Sequence, residues 1–237
     1  MPLLPEFSKL RSKKDFRGLQ KNLKSGIEYC FLTSIFLTGF FITFNNKIVQ
    51  LVFERGAFDY AATLKVKNIL IAYAVGIPFY IYRDLLVRTY YSIEKTKFPF
   101  QLSVAGIMFN AFFDWILIGA PIKDFGNLSP YDFGVVGIIL SSVIVNFIVC
   151  ILLALNLRNE NVHLPNLDLL KKIILMSLAS FSDSTICFNI LKTTNRLNSN
   201  FREFLLLILG SIMFFIIYFL LTKCLKVNKF KIYQKEI

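Results

Sequence analysis

From Ile69 to Tyr91 the chain is an apolar run of membrane-spanning length whose only charges are Arg83, Asp84 and Arg88. The hydrocarbon core of a bilayer is ~30 Å thick, so a spanning helix needs about 20 consecutive, mostly apolar residues. Blocks of similar length recur at residues 27–44, 98–120, 134–155, 173–191 and 204–221. Inside lipid every backbone N–H and C=O must be satisfied within the segment, which favours helices for blocks of this length. The repetition predicts an all-α polytopic membrane protein with about six transmembrane helices.

Composition agrees, with 55% hydrophobic and 16% aromatic residues and a mean hydropathy of +0.58. A net charge of +12 would suit a nucleic-acid partner if the cations formed one patch. Here they lie in short clusters between the apolar blocks, which is how membrane orientation is encoded, so nucleic acid is excluded as a partner. With both termini cytoplasmic, the inside segments hold seventeen Lys and Arg and the outside segments eight. The four cysteines, Cys30, Cys150, Cys187 and Cys224, are widely spaced and make no CxxC pair, and His163 is the sole histidine. A multi-histidine metal site is therefore ruled out, and no metal or cofactor is expected. No Walker loop, GxSxG or HExxH occurs, and nothing points to an enzyme.

Taken in order, residues 1–26 carry seven Lys or Arg, with Phe16, Leu19, Leu23 and Ile27 at helical spacing. This reads as an amphipathic helix lying on the cytoplasmic membrane face. Residues 27–155 hold four spans, 156–172 a cytoplasmic linker, 173–222 a final helix pair, and 223–237 a basic tail. Gly76 and Pro78 are expected to bend the second span, which is tolerated where neighbours satisfy the freed carbonyls. Gly137 and Ser141 form a small-xxx-small pair that lets another helix approach closely.

Ionisable groups at bilayer depth are expensive, ~2.5–3.5 kcal/mol each on insertion scales, so they mark candidate sites. Arg83, Asp84, Asp114 and Asp183 are such groups, and Asn110 joins them as a polar residue one turn before Asp114. Asp84 and Arg88 stand four apart with the acid first, the favourable order for a local pair, which leaves Arg83 for another role. At 1.5 Å per residue Arg83 lies ~12 Å from the inner end of its helix, Asn110 ~18 Å and Asp114 ~24 Å. An extended arginine spans the first gap, so Arg83 is expected near Asn110 and not bridged to Asp114. Two readings of Arg83 stand: a guanidinium on a polar cavity holding a phosphate or carboxylate, or a structural arginine satisfied by neighbouring groups. Asp183, among Ser177, Ser180, Ser182 and Ser184, is either a proton or cation site or a helix-packing polar group. Glu54, Arg55 and Gly56 form a structural turn in which glycine supplies φ > 0 freedom.

The order Leu3-Leu4-Pro5 followed by Ser8-Lys9, then Phe53-Glu54-Arg55-Gly56-Ala57-Phe58, then Tyr73-Ala74-Val75-Gly76-Ile77-Pro78 resembles the C-terminal part of the MurJ/MviN lipid II flippase family. Arg88, Tyr90, Tyr91, Lys95-Thr96-Lys97, Pro99 and Asn110 continue the resemblance. It implies helices nine to fourteen of a fourteen-helix fold, that is, a C-terminal lobe plus the last helix pair. It implies a role in cell-wall biosynthesis, moving a polyprenyl-diphosphate-linked peptidoglycan precursor outward across the bacterial inner membrane. The resemblance implies that this chain is a fragment whose missing N-terminal lobe carries most of the head-group cations, and that alone it does not flip lipid. The final helix pair, residues 173–191 and 204–221, is implied to form the groove for the polyprenyl tail. The rival readings are a transporter of another polyprenyl-linked saccharide or a drug–cation antiporter, and a non-transporting remnant or membrane scaffold.

Overall fold

The computed structural model describes residues 16–53, 60–119, 131, 133–159, 171, 174–178, 180 and 200–224. Five long helices account for most of them: α1 (Phe16–Phe53), α2 (Tyr60–Ser92), α3 (Lys97–Leu117), α4 (Val135–Asn159) and α5 (Asn200–Cys224). No strand occurs among the described residues. Four stretches are long and apolar enough to cross a membrane: Asn22–Phe53, Ala62–Ser92, Lys97–Leu117 and Val135–Leu157. In α5 the described apolar stretch, Leu207–Leu220, is shorter. The chain is an all-α, multi-pass membrane protein. Of the expected fifth span, residues 174–178 and 180 are helical, and the rest, Asp183 included, lies outside the described residues. The Glu54-Arg55-Gly56 turn also lies outside them.

α1 is a single helix of 38 residues, about 57 Å long, well beyond the bilayer core. No break separates the basic leader from the first span: from Phe16 onward they are one helix. Leu23 and Ile27 are fully buried with Leu85, Leu86, Tyr90, Leu153 and Leu157. That half of the apolar stripe therefore packs on protein, because α2 and α4 offer it a complementary apolar face at the same level.

α2 runs through Pro78, which has no N–H to donate to the Ala74 carbonyl one turn earlier. Thr38 of α1 supplies the missing donor, its hydroxyl reaching Ala74 O at 2.9 Å. At the end of α2, Glu94 adopts φ +61°, and the Lys95 N–H bonds the Tyr90 carbonyl at 3.0 Å. This left-handed residue closes the helix in the position glycine usually takes. Pro99 in the first turn of α3 needs no intrahelical donor and fits there without penalty.

α1 packs on α2, α2 on α4, α4 on α3, and α5 on the other side of α1. Around Phe36, Phe40 and Phe44 of α1, the α5 residues Phe214, Phe215 and Tyr218 make edge and tilted ring contacts, and Tyr218 donates to Leu32 O at 3.0 Å. Ser180 is buried and donates to Ile35 O at 3.2 Å, so the 174–180 stretch also leans on α1. α3 exposes much of its apolar surface: Ile107 and Met108 are 72% and 73% exposed, as suits a surface solvated by lipid tails. Because α3 joins the bundle through α4, the three-way meeting of α2, α3 and α4 is left open. The polar groups gather there.

Candidate functional site

α2 contributes Arg83 to this junction, from a half-buried position one residue before Asp84. Its Nη1 donates to Asn146 Oδ1 of α4 at 2.8 Å, and its Nη2 to Ser103 Oγ of α3 at 3.2 Å. Both acceptors are held by their own helices. Asn146 Nδ2 donates back to Ser142 O at 2.7 Å, and Ser103 Oγ donates back to Pro99 O at 2.8 Å. Each back-bond fixes its side chain and leaves an oxygen lone pair facing the guanidinium. Beside Arg83 lies a cavity of about 220 Å³ lined by Ser103, Asn110, Ser142 and Asn146 together with Gly106, Ile107, Val145 and Val149.

Deeper along α3, Asn110 and Asp114 form a second polar group with α4. Ser141, fully buried, places its hydroxyl against Asp114 Oδ1 and 3.1 Å from Asn110 Oδ1. Ser142 Oγ donates to Asn110 Oδ1 at 3.3 Å, and Asn110 Nδ2 stands 3.5 Å from Asp114 Oδ2. Gly137 makes this closeness possible, since a Cβ there would overlap the Leu117 carbonyl of α3. The small-xxx-small pair thus does what its spacing predicts. Oxygens outnumber the hydroxyl protons that could join them, so the cluster is of a kind that accepts a proton or a small hard cation. Among the described residues no group of three His, Cys, Asp or Glu is placed to hold a metal ion.

The expected Asp84–Arg88 pair is present, Nε to Oδ2 at 2.7 Å, on an exposed face. Arg83 and Asp114 are not bridged, as the depth comparison expects. Arg83 and Asn110 line one cavity, but they are not hydrogen-bonded to each other. The guanidinium turns to Ser103, about 8 Å from Phe98 along α3, and to α4. Ser103, Ser142 and Asn146 were not expected from the sequence, and Ser141 was expected only as a packing residue beside Gly137. A signal for them exists. Ser103, Gly106 and Asn110 fall at i, i+3 and i+7 on one face of α3, and Ser142 and Asn146 at i and i+4 on α4. Asp183 lies outside the described residues.

The family model described as "Lipid II flippase MurJ" matches residues 1–215. A probable lipid II flippase MurJ of Synechocystis sp. is 35% identical over 146 residues, covering 62% of this chain and 25% of that protein. A probable lipid II flippase MurJ of Thermotoga maritima is 26% identical over 218 residues, covering 92% of this chain and 40% of that protein. Among solved structures, a lipid II flippase MurJ in an inward closed conformation matches with a TM-score of 0.66 at 24% identity. That match covers 93% of this chain and 42% of the other, and it establishes the fold. This chain spans about a quarter to two fifths of the length of these relatives.

Proposed function

The chain belongs to the lipid II flippase MurJ family, and on that premise we propose that it supplies the C-terminal lobe and closing helix pair of a flippase for a polyprenyl-diphosphate-linked saccharide, the peptidoglycan precursor. The observation that carries the reading is the Arg83–Ser103–Asn146 junction: a cation held between three apolar helices by neutral groups, beside a cavity. Soluble or purely structural helices have little reason to place a guanidinium there. In this reading Arg83, Asn110 and Asp114 face the path of the substrate. Asp183 belongs to the stretch that, with α5, borders the polyprenyl tail.

Alternating access by rocking needs two lobes moving about a shared site. These helices are therefore assigned to act together with the lobe that makes up the rest of the relatives' length. The charge asymmetry supports a bacterial inner-membrane location with both termini cytoplasmic.

The test is rescue of a flippase-depleted bacterium by this chain co-expressed with an N-terminal lobe of the family, alongside translocation of fluorescent lipid II in vesicles holding the chain alone. Rescue with both halves and no translocation by the chain alone is expected. Failure to rescue, with both halves correctly inserted, would sink the assignment. The Asp114 oxygen cluster favours a second reading, a cation antiporter. Sodium- or proton-driven drug export without lipid translocation, abolished by Asp114→Asn, would select it.

A further inference from the structure

Arg83 has an unusual balance of partners. The guanidinium carries five N–H donors and a permanent charge. Two neutral acceptors, Asn146 Oδ1 and Ser103 Oγ, engage two of the donors. The carboxylates that might neutralise it are committed elsewhere: Asp84 pairs with Arg88, and Asp114 sits behind Asn110 against Ser141. No ion pair to Arg83 occurs among the described residues. Among the described residues this half-buried cation has no counter-charge, which is costly inside apolar helices, and an anion in the adjoining cavity would offset that cost.

The cavity fits such an anion. About 220 Å³ is roughly the liquid volume of seven waters, below the ~300–1,000 Å³ of pockets that take drug-sized ligands. A phosphate or diphosphate fits within that volume. Beyond the guanidinium, the hydroxyl of Ser142 and the amide of Asn110 lie on the wall, and each can donate to an anion by turning from its present partner. The remaining wall is apolar, and Ile107 on its rim is largely exposed toward the side that lipid tails would solvate.

We infer that the Arg83–Ser103–Asn146 cavity is an anion subsite that takes a phosphate-bearing group. The subsite rests on this geometry, and only the naming of its ligand as a lipid-borne diphosphate rests on the flippase reading. Its neutral acceptors hold the guanidinium fork in place, so that its free N–H edge meets two phosphate oxygens together.

The test is calorimetric titration of the full chain in nanodiscs with inorganic pyrophosphate, with acetate as control, and then with nanodiscs containing a polyprenyl diphosphate. Saturable pyrophosphate binding is expected, at least tenfold weaker in Arg83→Gln and intermediate in Arg83→Lys, which keeps charge but not the fork. Ile107→Trp fills the rim without touching the charge and is expected to weaken binding as well. Helix content and melting of each variant establish that it is folded. The lipid in the nanodisc is expected to compete with pyrophosphate. Pyrophosphate binding without lipid competition overturns the lipid source of the phosphate. Equal binding by Arg83→Gln and Ile107→Trp, or no Arg83-dependent binding of either probe, overturns the subsite. The rescue experiment is independent of these outcomes, so the family role and the subsite fail separately.

Discussion

Thr38 donates its hydroxyl to the Ala74 carbonyl at 2.9 Å, across the α1–α2 interface. That carbonyl is the one Pro78 leaves without an intrahelical donor. The bond therefore repairs α2 at the point where its sequence breaks the ladder, and it joins that point to α1. The polar junction around Arg83 begins little more than one turn further along α2.

Thr38→Val removes the donor while keeping the shape, and is expected to destabilise the folded chain by about 1–3 kcal/mol, the cost of a buried unsatisfied carbonyl. In a Pro78→Ala background the restored N–H can bond Ala74 O, so the same substitution should cost much less. Thermal unfolding of the four chains in detergent measures the coupling. Equal effects in both backgrounds contradict the repair.

Gly137 faces the Leu117 carbonyl so closely that a Cβ would overlap it. Gly137→Ala is expected to push α3 from α4 and cost about 1–3 kcal/mol, as overpacking does in well-filled cores. It should also loosen the Asp114–Ser141 contact. Unchanged melting would show that the helices separate freely here.

Tyr90 is fully buried; its hydroxyl donates to Leu153 O at 2.9 Å and accepts from Asn156 Nδ2 at 3.2 Å. Tyr90→Phe should cost about 0.6–1.5 kcal/mol, the range for one hydrogen bond in a membrane or soluble interior. A double-mutant cycle with Asn156→Ala is expected to show the two sites coupled. Strict additivity would contradict the shared hydroxyl.

Glu94 closes α2 at φ +61°, in the region that favours glycine. Glu94→Gly is expected to raise stability by about 0.5–1 kcal/mol, the relief of the left-handed residue less the added freedom of the unfolded chain. A lower melting temperature would mean the Glu94 side chain contributes more than its backbone costs.

Orientation is checked by single cysteines in a background with Cys30, Cys150, Cys187 and Cys224 replaced. A cysteine at Glu94 should react with an impermeant maleimide only after permeabilisation, and one at Tyr131 in intact cells. The reverse pattern overturns the placing of both termini in the cytoplasm.

Block lengths and charge placement, read along the chain, were enough to determine the helical class, the spans at α2, α3 and α4, and the acid–base pair Asp84–Arg88. Each depends on distances along a single helix, where a residue's position in sequence sets its position in space. The resemblance carried by Tyr73 to Asn110 led to the family for the same reason, as an ordered run of residues. Which groups meet Arg83 was a different matter. Depth along two helices brackets its partners, yet depth is one coordinate, and the choice of Ser103 and Asn146 over Asn110 depends on how α2, α3 and α4 turn and approach one another. The continuity of α1 past residue 26 was hidden likewise, since Leu23 and Ile27 suit a lipid surface and a protein core equally well. Only the tertiary structure decided between those two apolar environments, because a stripe of side chains states what it avoids and not what it touches.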